Sequence, residues 1–221
     1  MDVSNTAVVT AVAGDYDHPR SDVFVDGVDY LFFHDEVTAP PAGWQPLLLP
    51  PHEGGPRRRA KLPKLNPHAI PELAAYRYVI WVDGGISICS SAFVQEFLSH
   101  IADGMAVSPH FDGRDCAYGE ATIRPAKYAD EPLSEQAAHY RSEGFPERFG
   151  LYECGVSARD MTHPKVRELG ALWASQVETW SVQDQVSFPY CLWRLGYEPG
   201  VLPRSFRDMG WVTVSAHRRE D

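Results

Sequence analysis

Lys61, Lys64 and His68, interrupted by Pro63 and Pro67, form a basic stretch upstream of an acidic one, Asp83-Gly84-Gly85. Lysine and arginine are the side chains that meet diphosphate oxygens, lysine as a point charge and arginine as a fork. A carboxylate beside them is the ligand type that Mg²⁺ or Mn²⁺ takes. Together the two stretches suit an anionic ligand with a divalent metal between them. The plainer alternative is a solvated basic face and an aspartate that caps its own turn. The glycines after Asp83 allow the backbone to turn sharply against whatever that carboxylate holds.

Three further clusters carry chemistry. Thr10, Ala11, Gly14 and Tyr16 follow the first apolar run, and Asp35 follows the second. A tight turn there suits a nucleotide, with Tyr16 stacking on a base and Asp35 hydrogen-bonding it, or it is simply two strand-to-loop turns. No GxGxxG or P-loop lysine pattern is present. His110, Arg114 and Glu120, with Glu153 and Arg159 further on, mix acids and bases that hydrogen-bond sugar hydroxyls, carry protons or form structural ion pairs. Asp184 and Gln185 place an acceptor beside an amide, although an aspartate at a helix N-terminus is also favoured by the helix dipole alone. His217 is a lone histidine in a polar tail, able to join a metal held by Asp83.

The elements that must position these residues alternate. Tyr78–Val82 is a run of five apolar or aromatic residues, the pattern of a strand buried on both faces, and it delivers Asp83 to its carboxyl end. Open α/β sheets bind ligands at such ends. Thr6–Ala13, Val28–Phe33, Met105–Pro109 and Gly150–Ala158 also read as strands. Helices are expected from Ser90 or Ser91 onward (with Phe93, Phe97, Leu98 and Ile101 on one face), over Asp115–Lys127 and Leu133–Glu143, from Pro164, and over Ser181–Arg194. The Pro- and Gly-rich Thr38–Pro67 is expected to be irregular, so Lys61 and Lys64 sit on a basic loop. A mostly parallel α/β sheet flanked by helices follows.

A chain of 221 residues with 44% hydrophobic content suits one α/β domain, taken as residues 1–221. Its net charge of −10 argues against nucleic acid as the main partner, leaving local basic clusters such as Arg57-Arg58-Arg59 to meet an anion. Cys89, Cys116, Cys154 and Cys191 have no zinc-ligand spacing and read as buried free thiols of a reducing compartment. No signal-peptide pattern or membrane-length run is present, so a cytoplasmic location is expected. Oligomeric state is not readable.

In this order the segments TAVAGDYD, the Lys61-to-His68 run, VIWVDGGISI, His110–Ala121, GLYECGVSAR and QDQVSFPY resemble the TOD/MUCI-type glycosyltransferase-like domain family, over roughly residues 6–195. That family is typified by plant mucilage- and pollen-related proteins and has many bacterial members; this chain is identified as one of the latter. The resemblance implies a GT-A-like fold binding a nucleotide-diphospho-sugar, with Asp83 as the first aspartate of a metal-binding DxD motif. The second position is Gly85 here. It further implies that ECGV floors the sugar pocket and that Asp184-Gln185 lies beside the donor sugar, with Gln183 where such pairs usually follow an arginine.

The reading is a glycosyltransferase, metal-assisted through Mn²⁺ or Mg²⁺ at Asp83 and His217. It moves a sugar from a nucleotide-diphospho-sugar to a small-molecule or glycan acceptor. Thr10, Ala11, Tyr16, Asp35, Lys61, Lys64, His68, Asp83, Gly84 and Gly85 are expected to bind the donor nucleotide. Asp184 and Glu153 hold the sugar, Gln185 faces the anomeric carbon, and His110, Arg114, Glu120 and Arg159 contact substrate. The alternatives are a non-catalytic nucleotide-sugar-binding protein, favoured by the incomplete DxD, and a sugar-phosphate nucleotidyltransferase, disfavoured by the acidic turn after the first strand.

Overall fold

A computed structural model describes residues 3–17, 20–21, 23–123 and 128–215. In chain order its first elements are β1 (Thr6–Val12), β2 (Arg20–Ser21), β3 (Val28–His34), β4 (Gln45–Leu48), α1 (Gly55–Leu65), β5 (Tyr78–Val82), β6 (Ile86–Ile88) and α2 (Ala92–Ser99). There follow β7 (Met105–Pro109), α3 (Ala117–Thr122), α4 (Leu133–Ser142), β8 (Tyr152–Asp160), α5 (Pro164–Thr179), α6 (Asp184–Leu195), β9 (Gly200–Val201) and β10 (Val212–Val214).

The main sheet runs β4-β3-β1-β5-β8-β7-β9. Every pairing is parallel except those of β8, which runs antiparallel between β5 and β7. A second sheet, β10-β6-β2, covers part of one face.

The central strands are mostly apolar because both faces are covered, with Thr6 and Thr10 buried in β1 and Asp29 exposed near the start of β3. Val8 and Val12 of β1, Tyr30 and Phe32 of β3, and Ile80 and Val82 of β5 pack with α2 and the small sheet. The alternate residues Ala7, Val9, Leu31, Phe33, Val79 and Trp81 pack on the other face with Leu49, Ile70 and Leu73. A third cluster joins β7 and β8 to α3–α6 around Trp173 and Tyr140.

Four sequence expectations need correction. Thr38–Pro67 is not irregular: it contains β4 and the eleven-residue α1. Pro56 lies in the first turn, where its missing N–H costs nothing, and Pro63 falls in the last turn with two residues to follow. The basic loop is therefore a helix. The helix expected over Asp115–Lys127 spans only Ala117–Thr122, with Arg124–Lys127 outside the described residues. The helix expected from Ser181 starts at Asp184. All four cysteines are free, but Cys89 is exposed and Cys116 half-buried; only Cys154 and Cys191 are buried. No helix of the described residues is long and apolar enough to cross a membrane.

Pairing between β7 and β8 jumps at one point: Val107 pairs with Ser157, but Ser108 pairs with Glu153. The intervening Cys154, Gly155 and Val156 bulge away from β7, while Val156 stays paired to Val82 of β5. The bulge reverses the facing of the strand, since Val156 and Cys154, two residues apart, pack into different clusters.

Candidate functional site

A cavity of about 340 Å³ opens at the carboxyl ends of β1, β5 and β7 and the amino end of β8. α1 contributes Arg57, Ala60, Lys61 and Lys64 to its wall, the i, i+3, i+4, i+7 positions of one helical face. The same periodicity turns the other two arginines away. Arg58 donates to the carbonyls of Val177 and Trp180 and pairs with Glu131. Arg59 donates to the carbonyls of Leu49 and Pro50.

Lys64 is 2% exposed, and its Nζ lies 3.0 Å from Asp83 Oδ1 and 2.6 Å from Asp184 Oδ2. Lys61 Nζ reaches the same Asp184 oxygen at 2.8 Å. Asp83 Oδ1 also accepts from Trp81 Nε1 at 2.6 Å. Burial alone would push the Asp184 carboxyl up, but Lys61 and Lys64 more than offset it and hold the group well below the ordinary carboxylate range. Burial would likewise depress Lys64; Asp184 and then Asp83 outweigh it and keep the ammonium charged. Asp184 opens α6, where the helix dipole adds to its stabilisation. Gln185 also lines the cavity and donates from Nε2 to the Tyr152 carbonyl at 3.2 Å.

Ala11, Tyr16, Asp17, Gly84 and Gly85 line the side nearest β1. The Arg57 guanidinium stands over the Tyr16 ring, 5.7 Å from its centroid. Gly84 is required by packing, because a Cβ there would lie 2.7 Å from Val12 Cγ2 and 3.1 Å from Asp17 Cβ. Thr10 is buried within β1, off the cavity wall. Asp35 is also off the wall. Its carboxylate accepts from Gly14 N at 2.6 Å, Thr38 N at 2.9 Å and Thr38 Oγ1 at 2.8 Å, so it holds the β1 exit turn rather than reaching into the cavity. His68 lies behind α1, its Nε2 at 2.9 Å from the Met161 carbonyl.

Glu153, Cys154 and Gly155, presented by the bulge, form part of the cavity wall. Glu153 is 3% exposed and accepts from Ser205 Oγ at 3.1 Å and Arg207 Nε at 2.9 Å. Burial pushes its pKa up, and Arg207 and Ser205 counter this only in part. Arg207 also stands over Phe111, 4.8 Å from the ring centroid, and Phe111 is 52% exposed at the cavity. His110 lines the wall with both ring nitrogens engaged, Nδ1 at 2.6 Å from Asp112 Oδ1 and Nε2 at 3.1 Å from Arg114 Nη2. Arg114 pairs with Glu120, and Gln183 Nε2 donates to the other Glu120 oxygen at 2.7 Å. Glu120 therefore supports the wall from behind rather than lining it.

Arg159, expected at the substrate, is instead fully buried behind α1, where its Nη1 donates to the Leu65 carbonyl. His217, expected as a metal ligand, lies outside the described residues. Among the described residues no three His, Cys, Asp or Glu side chains converge on one point. Asp83 supplies one carboxylate, and the oxygen it turns inward already serves Lys64 and Trp81. The described side chains do not by themselves form a divalent-ion site.

Asp17, Phe111, Tyr128 and Arg207 line the cavity without having been singled out from the sequence. Asp17 and Phe111 fall inside the segments TAVAGDYD and His110–Ala121, next to Tyr16 and His110, whereas Tyr128 and Arg207 lie outside every such segment; only the fold gathers the four.

A mostly parallel sheet with one reversed strand, and a ligand-sized cavity at the carboxyl end of its central strand, make this a GT-A-like α/β domain. Residues 50–217 match the TOD1/MUCI70, glycosyltransferase-like domain family, and the chain belongs to that family. The matched span begins after β4, so β1 and β3, which complete the sheet, precede it. No curated protein matches the chain.

Proposed function

We propose that the protein transfers a sugar from a nucleotide-diphospho-sugar to the hydroxyl of a small-molecule or glycan acceptor. One observation carries the reading: the basic face of α1 confronts the Asp83 strand end and Asp184 across a single cavity at the carboxyl edge of the sheet. Family membership supports it at the level of a glycosyltransferase-like role.

In this reading Arg57 and Lys61 meet the diphosphate, and Tyr16, at the mouth of β1, stacks on the base. Asp184, Gln185 and Glu153 surround the sugar. The acceptor oxygen bonds to the anomeric carbon as the bond to the diphosphate breaks, and fixed cations stabilise the charge that develops on the leaving group. The hydroxyl proton passes to a carboxylate. Glu153, whose pKa burial raises, is the group on the wall suited to take it.

Incubation with a panel of UDP-, GDP- and dTDP-sugars and candidate acceptors tests the proposal, with release of nucleoside diphosphate as the readout. Binding of a nucleotide sugar with no release under any acceptor would favour a non-catalytic sensor, the reading to which Gly85 in place of a second aspartate lends weight.

A further inference from the structure

The carboxylate that ends β5 and the one that opens α6 converge from different elements on one point of the cavity wall, the kind of paired site a divalent ion could take. That place is filled by protein. One nitrogen, Lys64 Nζ, reaches Asp83 Oδ1 at 3.0 Å and Asp184 Oδ2 at 2.6 Å. Its side chain is 2% exposed. The Trp81 indole reinforces the arrangement from below, donating to the same Asp83 oxygen, with Lys64 Nζ 5.8 Å from its ring centroid. Lys64 lines the cavity, so its charge faces whatever anion enters.

We infer that Lys64 is a built-in replacement for the divalent cation, and that the protein binds nucleoside diphosphates without metal. The inference rests on the donor site proposed above. Lys64 provides the fixed charge between the two carboxylates, and Lys61 and Arg57, one and two turns earlier on the same face of α1, provide the contacts that a phosphate reaches directly. A lysine delivered by a helix is held in place by packing rather than by exchangeable ligands, so its charge is present at every metal concentration. Position 85 fits this picture. A Cβ there would meet nothing closer than the Ser215 carbonyl at 3.5 Å, so glycine is not forced by space, and the second carboxylate of a metal motif is dispensable where an ammonium already balances the first.

The test is thermal unfolding of the full chain with UDP, GDP or dTDP, in EDTA and in Mn²⁺ or Mg²⁺. The expected result is a rise in Tm with at least one diphosphate that is the same in EDTA as in metal. Lys61→Ala should weaken that binding by about tenfold or more, the worth of one charge-assisted hydrogen bond. Lys64→Ala should melt lower than the parent and, with two carboxylates left facing each other, gain a Mn²⁺-dependent rise in Tm that the parent lacks. A diphosphate response in the parent that requires Mn²⁺ or Mg²⁺ overturns the inference and leaves the donor site standing. A folded Lys64→Ala protein indifferent to Mn²⁺ also overturns it. If that variant does not fold, the EDTA comparison on the parent decides alone. Absence of any diphosphate response, with or without metal, removes the donor site itself and the inference with it.

Discussion

Arg159 donates through Nη1 to the carbonyl oxygen of Leu65, 3.2 Å away, at the last residue of the helix that carries Lys61 and Lys64. Its Nε and Nη2 have no hydrogen-bond partner among the described residues, and burial pushes its pKa down to about 10. The guanidinium therefore acts as a buried cap on α1, with the Trp173 ring 5.5 Å away. Arg159→Ala is expected to cost about 2–4 kcal/mol through the cavity and the lost cap. Arg159→Met, which fills the space and removes an uncompensated charge, should stay within about 1 kcal/mol of the parent. Urea unfolding of the two variants separates these cases; equal losses would mean the charge itself is needed.

Asp184 is where stability and chemistry are both at stake. Asp184→Asn leaves Lys64 with Asp83 alone and Lys61 without its carboxylate, a broken buried pair of the kind that costs about 3–5 kcal/mol. The folded-state pKa is lowered, so the contribution of Asp184 is complete above the ordinary carboxyl value of about 4 and is lost as pH falls through the lowered one. The stability gap between parent and variant should thus hold from neutral pH down to about pH 4 and narrow only below it. On folded protein, turnover should fall on the order of 100-fold, the cost of misplacing a reacting centre by about 1 Å. A variant that transfers sugar at the parent rate would falsify the catalytic placement.

Glu153 should show the opposite sign. Its folded-state pKa is raised, so its contribution is fully present below the unfolded carboxyl value and is lost as pH rises through the folded one. Relative to Glu153→Gln, the parent should lose stability over the range above about pH 4, as pH rises past the ordinary carboxyl value. Denaturation midpoints of the two proteins across that range check it, and parallel profiles would show that Arg207 and Ser205 compensate burial in full.

Adjacent glycines should differ sharply. Gly84→Ala places a methyl 2.7 Å from Val12 Cγ2 and should cost about 1–3 kcal/mol by overpacking. Gly85→Ala meets its first neighbour at 3.5 Å and should fall within about 0.5 kcal/mol of the parent. Thermal melts suffice, and equal destabilisation would refute the packing argument.

The buried strands β1, β3 and β5 were legible because two covered faces demand a nearly continuous apolar run, which β5 has without a break and β1 and β3 have with only Thr6, Thr10 and Asp29 interrupting. Asp83, Lys61, Lys64, Asp184 and Glu153 were legible as types and do share one cavity. The helical state of α1 was hidden by Pro56, at the first turn where proline is tolerated, and by Pro63, which lies inside the helix and forgoes one backbone bond near its end, within a stretch rich in other breakers. Strands β2, β6 and β10, of two or three residues, carry too little periodicity to be seen. Arg159 and Asp35 have charged side chains that suggest ligand contact, yet one caps a helix and the other ties a turn. Only the fold distinguishes such duties, because a charged residue type suits a ligand contact and a structural tie equally.

The bulge in β8 has a consequence for how the cavity can change over time. Because three residues separate the partner of Val107 from the partner of Ser108, the half of the strand that bears Glu153 is phased independently of the half that bears Ala158 and Arg159. Loss or gain of a single residue in Cys154–Val156 would exchange which side chains the floor presents while leaving the core half in step with β5. A chain deleted at Gly155 is expected to unfold cooperatively yet bind a different ligand or none; failure to fold would show that both halves obey one register. The floor is thus a segment where new specificity can be tried at little risk to the scaffold.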